Sequence, residues 1–231
     1  VIIGPMIPSN FDILSLQDSL QLVPMIAPLS SNPVKSRENV YQSVTSPKLL
    51  REKMFLYLDK VLDSTQNVVL ITDTLNREVE TKLHDRFPFA QILRPEPGGY
   101  VVPDLIDSLL VDTLINKVVF ESQNLGLIAS VTSLLNSQIS KERDVQLFTT
   151  FRSNTYNNQN ISKRQLGNLK FTYTAGEFSY NSPRSKVFDS LYVTAFGDLP
   201  KREALRGYDV TLDVILRWSH INQLSSDSMG E

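Results

Sequence analysis

The chain has 231 residues, 41% of them hydrophobic, with 23 basic against 25 acidic side chains and no cysteine. That length holds one large domain or two smaller ones with a sizeable core, while the near-zero net charge and the lack of any basic block argue against nucleic acid, whose binding relies on clustered Lys and Arg. The missing cysteines exclude disulfides, thiolate metal sites and cysteine nucleophiles, and no stretch approaches the roughly 20 apolar residues of a membrane span.

Five short apolar runs, at residues 1–4, 23–28, 68–73, 117–121 and 145–149, close in a small polar or proline-containing turn and lead towards a helix-like segment. This rhythm predicts an α/β fold with parallel sheets, in which ligands bind beyond the carboxyl ends of the strands. The chain opens inside an apolar strand with no basic region of the kind that precedes a secretory signal. Ile2 and Ile3 call for neighbours on both faces, the expectation for a trimmed or processed piece of a longer polypeptide.

The first strand breaks at Gly4-Pro5, after which Ser9 or Asn10 is the expected cap of a helix turning Phe11, Leu14 and Leu20 inward. The second strand, 23–28, carries prolines at its ends, where a missing amide donor costs least, and exits into Leu29-Ser30-Ser31-Asn32-Pro33. Residues 40–44 read as a short extended segment, followed by Ser46 as cap and Pro47 in the first turn of a helix reaching residue 62. Leu50, Met54, Phe55, Leu58, Val61 and Leu62 give that helix one apolar face. A strand over 68–72, a helix over 76–86, a strand around Ile92, a helix over 104–114, a strand over 117–121, a helix over 124–139 and a strand over 145–149 follow. Residues 151–167, rich in Asn, Ser, Gln and Arg, are expected to form a surface excursion with at most one helical turn. An extended pattern over 169–173 and helices over 183–196 and 202–218 complete the chain.

Catalytic constellations are not evident. His84 and His220, the two histidines, fall in polar surroundings and read as surface residues; no ligand spacing points to a metal, and no nucleophile elbow, Walker loop or dinucleotide turn occurs. The expectation is a non-enzyme with no cofactor and no metal. Gly98-Gly99 reads as a flexible turn. Ser30, Ser31 and Asn32 suit a carboxylate or another small anionic group, and equally well a plain cap-and-turn cluster. Asp73-Thr74, Glu121-Ser122-Gln123 and Thr149-Thr150 stand in the same position after their own strands and can converge on one cleft, although each taken alone reads as a helix cap. Among the aromatics, Tyr41, Tyr100 and Phe151 fall where a ring can cover a ligand, with Tyr100 preferred, whereas Phe55, Phe120 and Phe188 read as core.

The order of these pieces resembles the type I periplasmic solute-binding proteins, the branched-chain amino-acid receptor group. Val1-Ile2-Ile3-Gly4-Pro5, followed by a helix and then Val23-Pro24-Met25-Ile26-Ala27-Pro28-Leu29-Ser30, resembles that family's IGP to IPVISP segment, in which a polar loop after the strand contacts ligand; the family's first strand and helix of lobe one have no counterpart here. Asn39-Val40-Tyr41-Gln42-Ser43-Val44-Thr45 is similar to its first crossover, residues 169–175 to the return crossover, and Ala204-Leu205-Arg206-Gly207-Tyr208-Asp209-Val210 to the helix rejoining the first lobe. The nearest likeness is to solute-binding-like domains of Bacteroidota envelope proteins, often coupled to peptidoglycan-binding LysM modules; a related lipoprotein group activates peptidoglycan synthases.

The resemblance implies a two-lobed fold, each lobe a mainly parallel sheet flanked by helices and here truncated at both ends. Lobe I would comprise 1–44 with 174–231, and lobe II 45–173. It implies extracytoplasmic, non-catalytic binding of a small polar solute such as an amino acid in an interlobe cleft, in a periplasmic or outer-membrane-anchored protein partnered by a transporter or envelope component. The family's hydroxyls, aromatic cover and acidic group for an ammonium would be supplied by Ser30, Ser31, Tyr100 and Glu121, with Asn32, Thr74, Ser122 and Thr150 completing the ligand-binding set. The alternative is a peptidoglycan-related interaction or regulatory protein that keeps the fold without a working cleft.

Overall fold

A computed structural model describes residues 1–29, 38–96, 98–176 and 183–221. The chain divides into two compact units, one formed by Val1–Pro47 with Gly176–Glu231 and the other by Lys48–Ala175. Each contains a wholly parallel sheet flanked by helices.

The first unit begins with β1 (Ile2–Ile3), α1 (Pro8–Ser15), β2 (Met25–Ala27) and β3 (Val40–Gln42), whose strands pair in the order β1-β2-β3. Alternation sets its layers. Met25 and Ala27 pack with Phe11 of α1, while Ile26 between them packs with Val210 and Val214. The cap of α1 differs from the expectation: Ile7 is the N-cap, with no side-chain cap bond, and proline opens the first turn, so Ser9 and Asn10 lie inside the helix. Proline supplies the initiation because its fixed φ suits the first turn, where its missing N–H is no loss. Leu14 is exposed, leaving Phe11 as the buried residue of the helix's apolar side.

The second unit follows with α2 (Pro47–Val61), β4 (Asn67–Thr72), α3 (Arg77–Arg86), β5 (Gln91–Leu93), α4 (Pro103–Leu109), β6 (Ile115–Glu121), α5 (Leu125–Ser137), β7 (Asp144–Phe148) and α6 (Lys163–Asn168). Its strands lie in the order β5-β4-β6-β7. On one face Val69, Ile71, Val118, Phe120, Val145 and Leu147 meet α4 and α5. On the other, Val68, Leu70, Val119 and Phe148 meet Met54, Phe55 and Leu58 of α2 and Val79 and Leu83 of α3. Strands covered on both faces read as continuous apolar runs, which is why β4 and β6 stand out in the sequence.

Three segments of this unit depart from the pattern reading. The helix expected over 104–114 ends at Leu109, with Leu110 extended, because Asn116 takes over the backbone groups beyond it, accepting from Val111 N at 2.8 Å and donating to Val111 O at 2.9 Å. The stretch 151–167 is not a surface excursion: a 3-10 turn at Asn154–Asn157 and helix α6 place Tyr156, Ile161 and Leu166 in the core against Val145 and Leu147. Residues 169–173 form no strand, but Leu169 O and Thr172 N bond both backbone groups of Leu147 at 2.9 Å, and Thr172 makes an isolated parallel bridge to Phe148.

The first unit ends with α7 (Pro183–Phe196) and α8 (Arg202–Ile221), the latter running beyond the expected end at residue 218. Phe188 is half-buried, not core, with its ring centroid 4.7 Å from that of Tyr208. Among the described residues no helix is long and apolar enough to cross a membrane.

Candidate functional site

In the second unit's sheet, β4 pairs with β5 on one side and β6 on the other, so the connection out of β4 runs to one side and the next, out of β5, crosses back to the other. Helix α3, which follows β4, packs on one face, and α4, which leads into β6, on the other. Such a switch of direction opens a crevice outside the carboxyl ends of the two central strands. The register aligns Thr72 with Glu121 at those ends, so Asp73 and Ser122 leave the sheet side by side.

Ser122 donates from Oγ to Asp73 Oδ2 at 2.6 Å and accepts from Asn124 N at 3.0 Å. Asp73 Oδ1 accepts from Leu75 N at 3.0 Å and from Asn76 Nδ2 at 2.8 Å, capping the 3-10 turn before α3. Asn124 caps α5, its Oδ1 accepting from Leu127 N at 3.0 Å. These bonds occupy both carboxylate oxygens of Asp73 and the amide oxygen of Asn124 in holding the crevice, as the cap reading of these turns expects.

Glu121 is different. It ends β6 with 2% exposure. Its Oε1 accepts from the backbone N–H of Thr150 and from Thr149 Oγ1, the latter at 3.2 Å. Burial pushes its carboxyl up to about 7, against the opposing pull of the Thr150 and Thr149 donors and the more distant charge of Arg51. A buried carboxyl near neutrality is costly in its charged form unless a donor or cation joins it.

Near Glu121, Thr150 Oγ1, Tyr156 Oη and Arg51 Nε are buried polar atoms with no hydrogen bond of good geometry among the described residues, although the Thr150 hydroxyl still pulls on Glu121 and that of Thr149 on Tyr156; Ser153 Oγ, farther along the same loop, is another. Tyr156 and Thr150 are fully buried and Ser153 is 8% exposed. Burial and the neighbouring Glu121 charge push the Tyr156 hydroxyl up, so it stays protonated and able to donate. Arg51 reaches in from α2, its guanidinium 5.8 Å from the centre of the Phe151 ring. Buried polar groups are nearly always paired, so several orphans around one carboxyl mark a place built for something that pairs them.

The structure thus brings Glu121, Ser122 and Thr150 together. Thr74 sits on the 3-10 turn after Asp73 and is exposed. Tyr100 is 54% exposed. Its turn, with both Gly98 and Gly99 at positive φ, approaches Asn124, whose Nδ2 lies 3.8 Å from where a Cβ on Gly99 would stand. Ser30, Ser31 and Asn32 lie outside the described residues, as does the His220 side chain; His84 is exposed. Sequence reasoning did not select Arg51, Ser153 or Tyr156. For Tyr156 the sequence held only the presence of three large apolar residues, at 156, 161 and 166, in an otherwise polar stretch, at a spacing that is neither helical nor strand-like.

Among the described residues no group of three or more His, Asp or Glu side chains is placed to hold a metal ion. The groups present offer one carboxylate, several hydroxyls and a guanidinium, a set suited to hydrogen-bond and charge recognition. No known family model and no curated protein matches this sequence.

Proposed function

We propose that the chain is a non-catalytic receptor for a small polar solute carrying an amine, such as an amino acid, and that its two units are the lobes of a type I solute-binding fold working outside the cytoplasm. The observation that carries the reading is Glu121: a buried carboxyl at a sheet's switch point, with the hydroxyls of Thr150 and Tyr156 beside it making no hydrogen bond of good geometry. An ammonium donating to Glu121 stabilises the carboxylate that burial disfavours, and the hydroxyls take the solute's remaining polar atoms. The guanidinium of Arg51 suits a solute carboxylate. Affinity then comes from pairing groups the folded chain already holds desolvated.

The test is a thermal-shift and calorimetric screen of amino acids, simple amines and simple carboxylates. A ligand that binds only the folded state raises its melting temperature by mass action. Amine-bearing solutes are expected to do so, and Glu121→Gln, which keeps the shape and removes the charge, is expected to abolish the shift. A flat response from a properly folded sample, or a shift unchanged by Glu121→Gln, overturns the reading.

A second reading, a peptidoglycan-related interaction or regulatory protein without a working site, draws on a different feature. Leu191 and Phe196 of α7 and Ile215 and Leu216 of α8 are all at least half exposed, and exposed apolar surface, where it is contiguous, marks protein contacts. A flat solute screen combined with capture of a cell-wall enzyme, lost on Leu191→Ser with Phe196→Ser, would favour it.

A further inference from the structure

A recess of about 380 Å³ lies on the second unit, lined by Arg152 from the loop after β7, Lys163 and Leu166 of α6, and Lys170, Phe171 and Tyr173 beyond it. We propose that this recess is a binding site for a small organic anion, a carboxylate or phosphate monoester on a compact apolar body. It is separate from the Glu121 site and does not depend on the function assigned there.

Charge is the first argument. Of the three cations on the recess, Lys170 is neutralised by Asp144, with its Nζ 2.8 and 2.9 Å from the two carboxylate oxygens. Arg152 and Lys163 have no acidic partner among the described residues. Arg152 donates to the amide oxygen of Asn157 and Lys163 to the backbone oxygen of Tyr156, both neutral acceptors. Partial burial, and then the charge of Arg152, pull the Lys163 ammonium below its ordinary pKa. Two cations are therefore held near one another over a concave surface with no counter-charge, and an anion set between them relieves the repulsion.

Preorganisation is the second. The Arg152 guanidinium lies over the Tyr173 ring, 5.0 Å from its centroid, and is bonded to Asn157, so its fork is held in place before any ligand arrives. A fixed guanidinium recognises carboxylate and phosphate in two-point fashion, which a freely rotating ammonium cannot. Beside it, Phe171 is clamped between Tyr156 and Tyr173, with centroids 4.9 and 5.2 Å away, and Leu166 is buried at the floor. This apolar wall favours an anion with a hydrocarbon or aromatic body over a bare inorganic ion. The volume sits near the lower end for small-ligand sites, which favours a single ring or short chain.

The experiment is an NMR titration of the full chain, following backbone amides, with four probes: benzoate, phenyl phosphate, inorganic phosphate and benzyl alcohol. Saturable shifts confined to the amides around residues 152 and 163–173 are expected with benzoate, phenyl phosphate or both, and whichever binds more tightly identifies the preferred head group. Arg152→Gln with Lys163→Gln is expected to weaken binding by at least about tenfold, the value of one charge-assisted hydrogen bond. Lys82→Gln, which removes an exposed cation outside the recess, is expected to leave it unchanged. Lys163→Gln alone carries the same expectation, at a smaller fold-change, should the double variant not fold. The proposal is overturned if neither organic anion shifts these amides at millimolar concentration, if the Arg152 and Lys163 variants bind as the parent does, or if benzyl alcohol or inorganic phosphate binds as tightly as the organic anions.

Discussion

The ring of Tyr156 lies on the ring of Phe171, with centroids 4.9 Å apart and planes 22° from parallel. The Tyr156 hydroxyl is near enough to Glu121 to feel its charge, while its backbone oxygen accepts from Lys163 at the neighbouring recess. One buried aromatic residue therefore borders both candidate sites, with Phe171 fixing its ring plane.

This double placement separates the hydroxyl's role from the ring's. The Tyr156 hydroxyl is buried and makes no hydrogen bond of good geometry, with Thr149 only near enough to pull weakly on it, so it contributes at most a weak folding hydrogen bond and carries a desolvation cost. Tyr156→Phe is expected to leave stability unchanged or raise it by about 1 kcal/mol in chemical denaturation. Under the proposed function the same variant weakens solute binding, because the hydroxyl is then a ligand contact. Clear destabilisation by Tyr156→Phe would show that the hydroxyl already has a partner in the fold.

Glu121 makes a prediction about pH. Burial raises its folded pKa to about 7 from an ordinary 4.5. Between these values the folded chain holds a proton that the unfolded chain has released, so stability falls as pH rises through this window. The contribution is fully present below the unfolded value and lost above about 7, and its size is of the order of a few kcal/mol. Denaturant midpoints measured from about half a unit below this window to about one unit above it are expected to lose this fall in Glu121→Gln. An amine solute requires the opposite charge state, so its affinity is expected to rise as pH passes through the same range. A parent and a variant with parallel stability profiles would count against a buried, proton-holding Glu121.

Residues 156, 161 and 166 show where legibility ended. The strands of the second unit were readable because Val68 to Ile71 and Val118 to Phe120 are buried on both faces and so form unbroken apolar runs. The alternation of Met25, Ile26 and Ala27 between two helices is likewise a pattern three residues long. The segment 151–167 hid its core residues because they recur at neither helical nor strand spacing: Tyr156 sits on a 3-10 turn, Ile161 on a loop and Leu166 on a short helix. Composition there reports the solvent side, and what Tyr156 packs against is set by Phe171, well along the chain. At the site, the acidic and hydroxyl groups at strand ends were readable from their position after apolar runs. The contribution of Arg51 was not, since it comes from a helix that precedes the sheet in sequence.

The buried character of that segment can be measured directly. Leu166 packs in the core of the second unit with 7% exposure. Leu166→Ala is expected to cost about 3 kcal/mol, in the range for core truncations, where a surface position would cost less than about 0.5 kcal/mol. Because Leu166 also floors the cationic recess, the variant is expected to weaken organic anions more than inorganic phosphate. A near-neutral denaturation midpoint would return 151–167 to the surface.

The opposite end of the same sheet supplies the contrasting case, a polar cluster whose role is structural. Asn116 is fully buried in β6. Its Nδ2 donates to Val111 O at 2.9 Å, Asp144 O at 3.1 Å and Leu114 O at 3.2 Å, while its Oδ1 accepts from Val111 N and from Asn67 Nδ2, each at 2.8 Å. Asn67 in turn donates to Leu109 O at 2.6 Å and accepts from Gln91 at 2.9 Å, so one amide pair ties all four strands of the sheet to the end of α4. Every polar atom here has a partner, in contrast to those near Glu121, and removing one side chain strands several others. Asn116→Ala is expected to destabilise the protein by about 2–4 kcal/mol while leaving solute affinity unchanged at temperatures where the variant is folded. Denaturation together with calorimetry on the one variant checks both halves. A loss of affinity without a loss of stability would move the functional site to the amino end of the sheet.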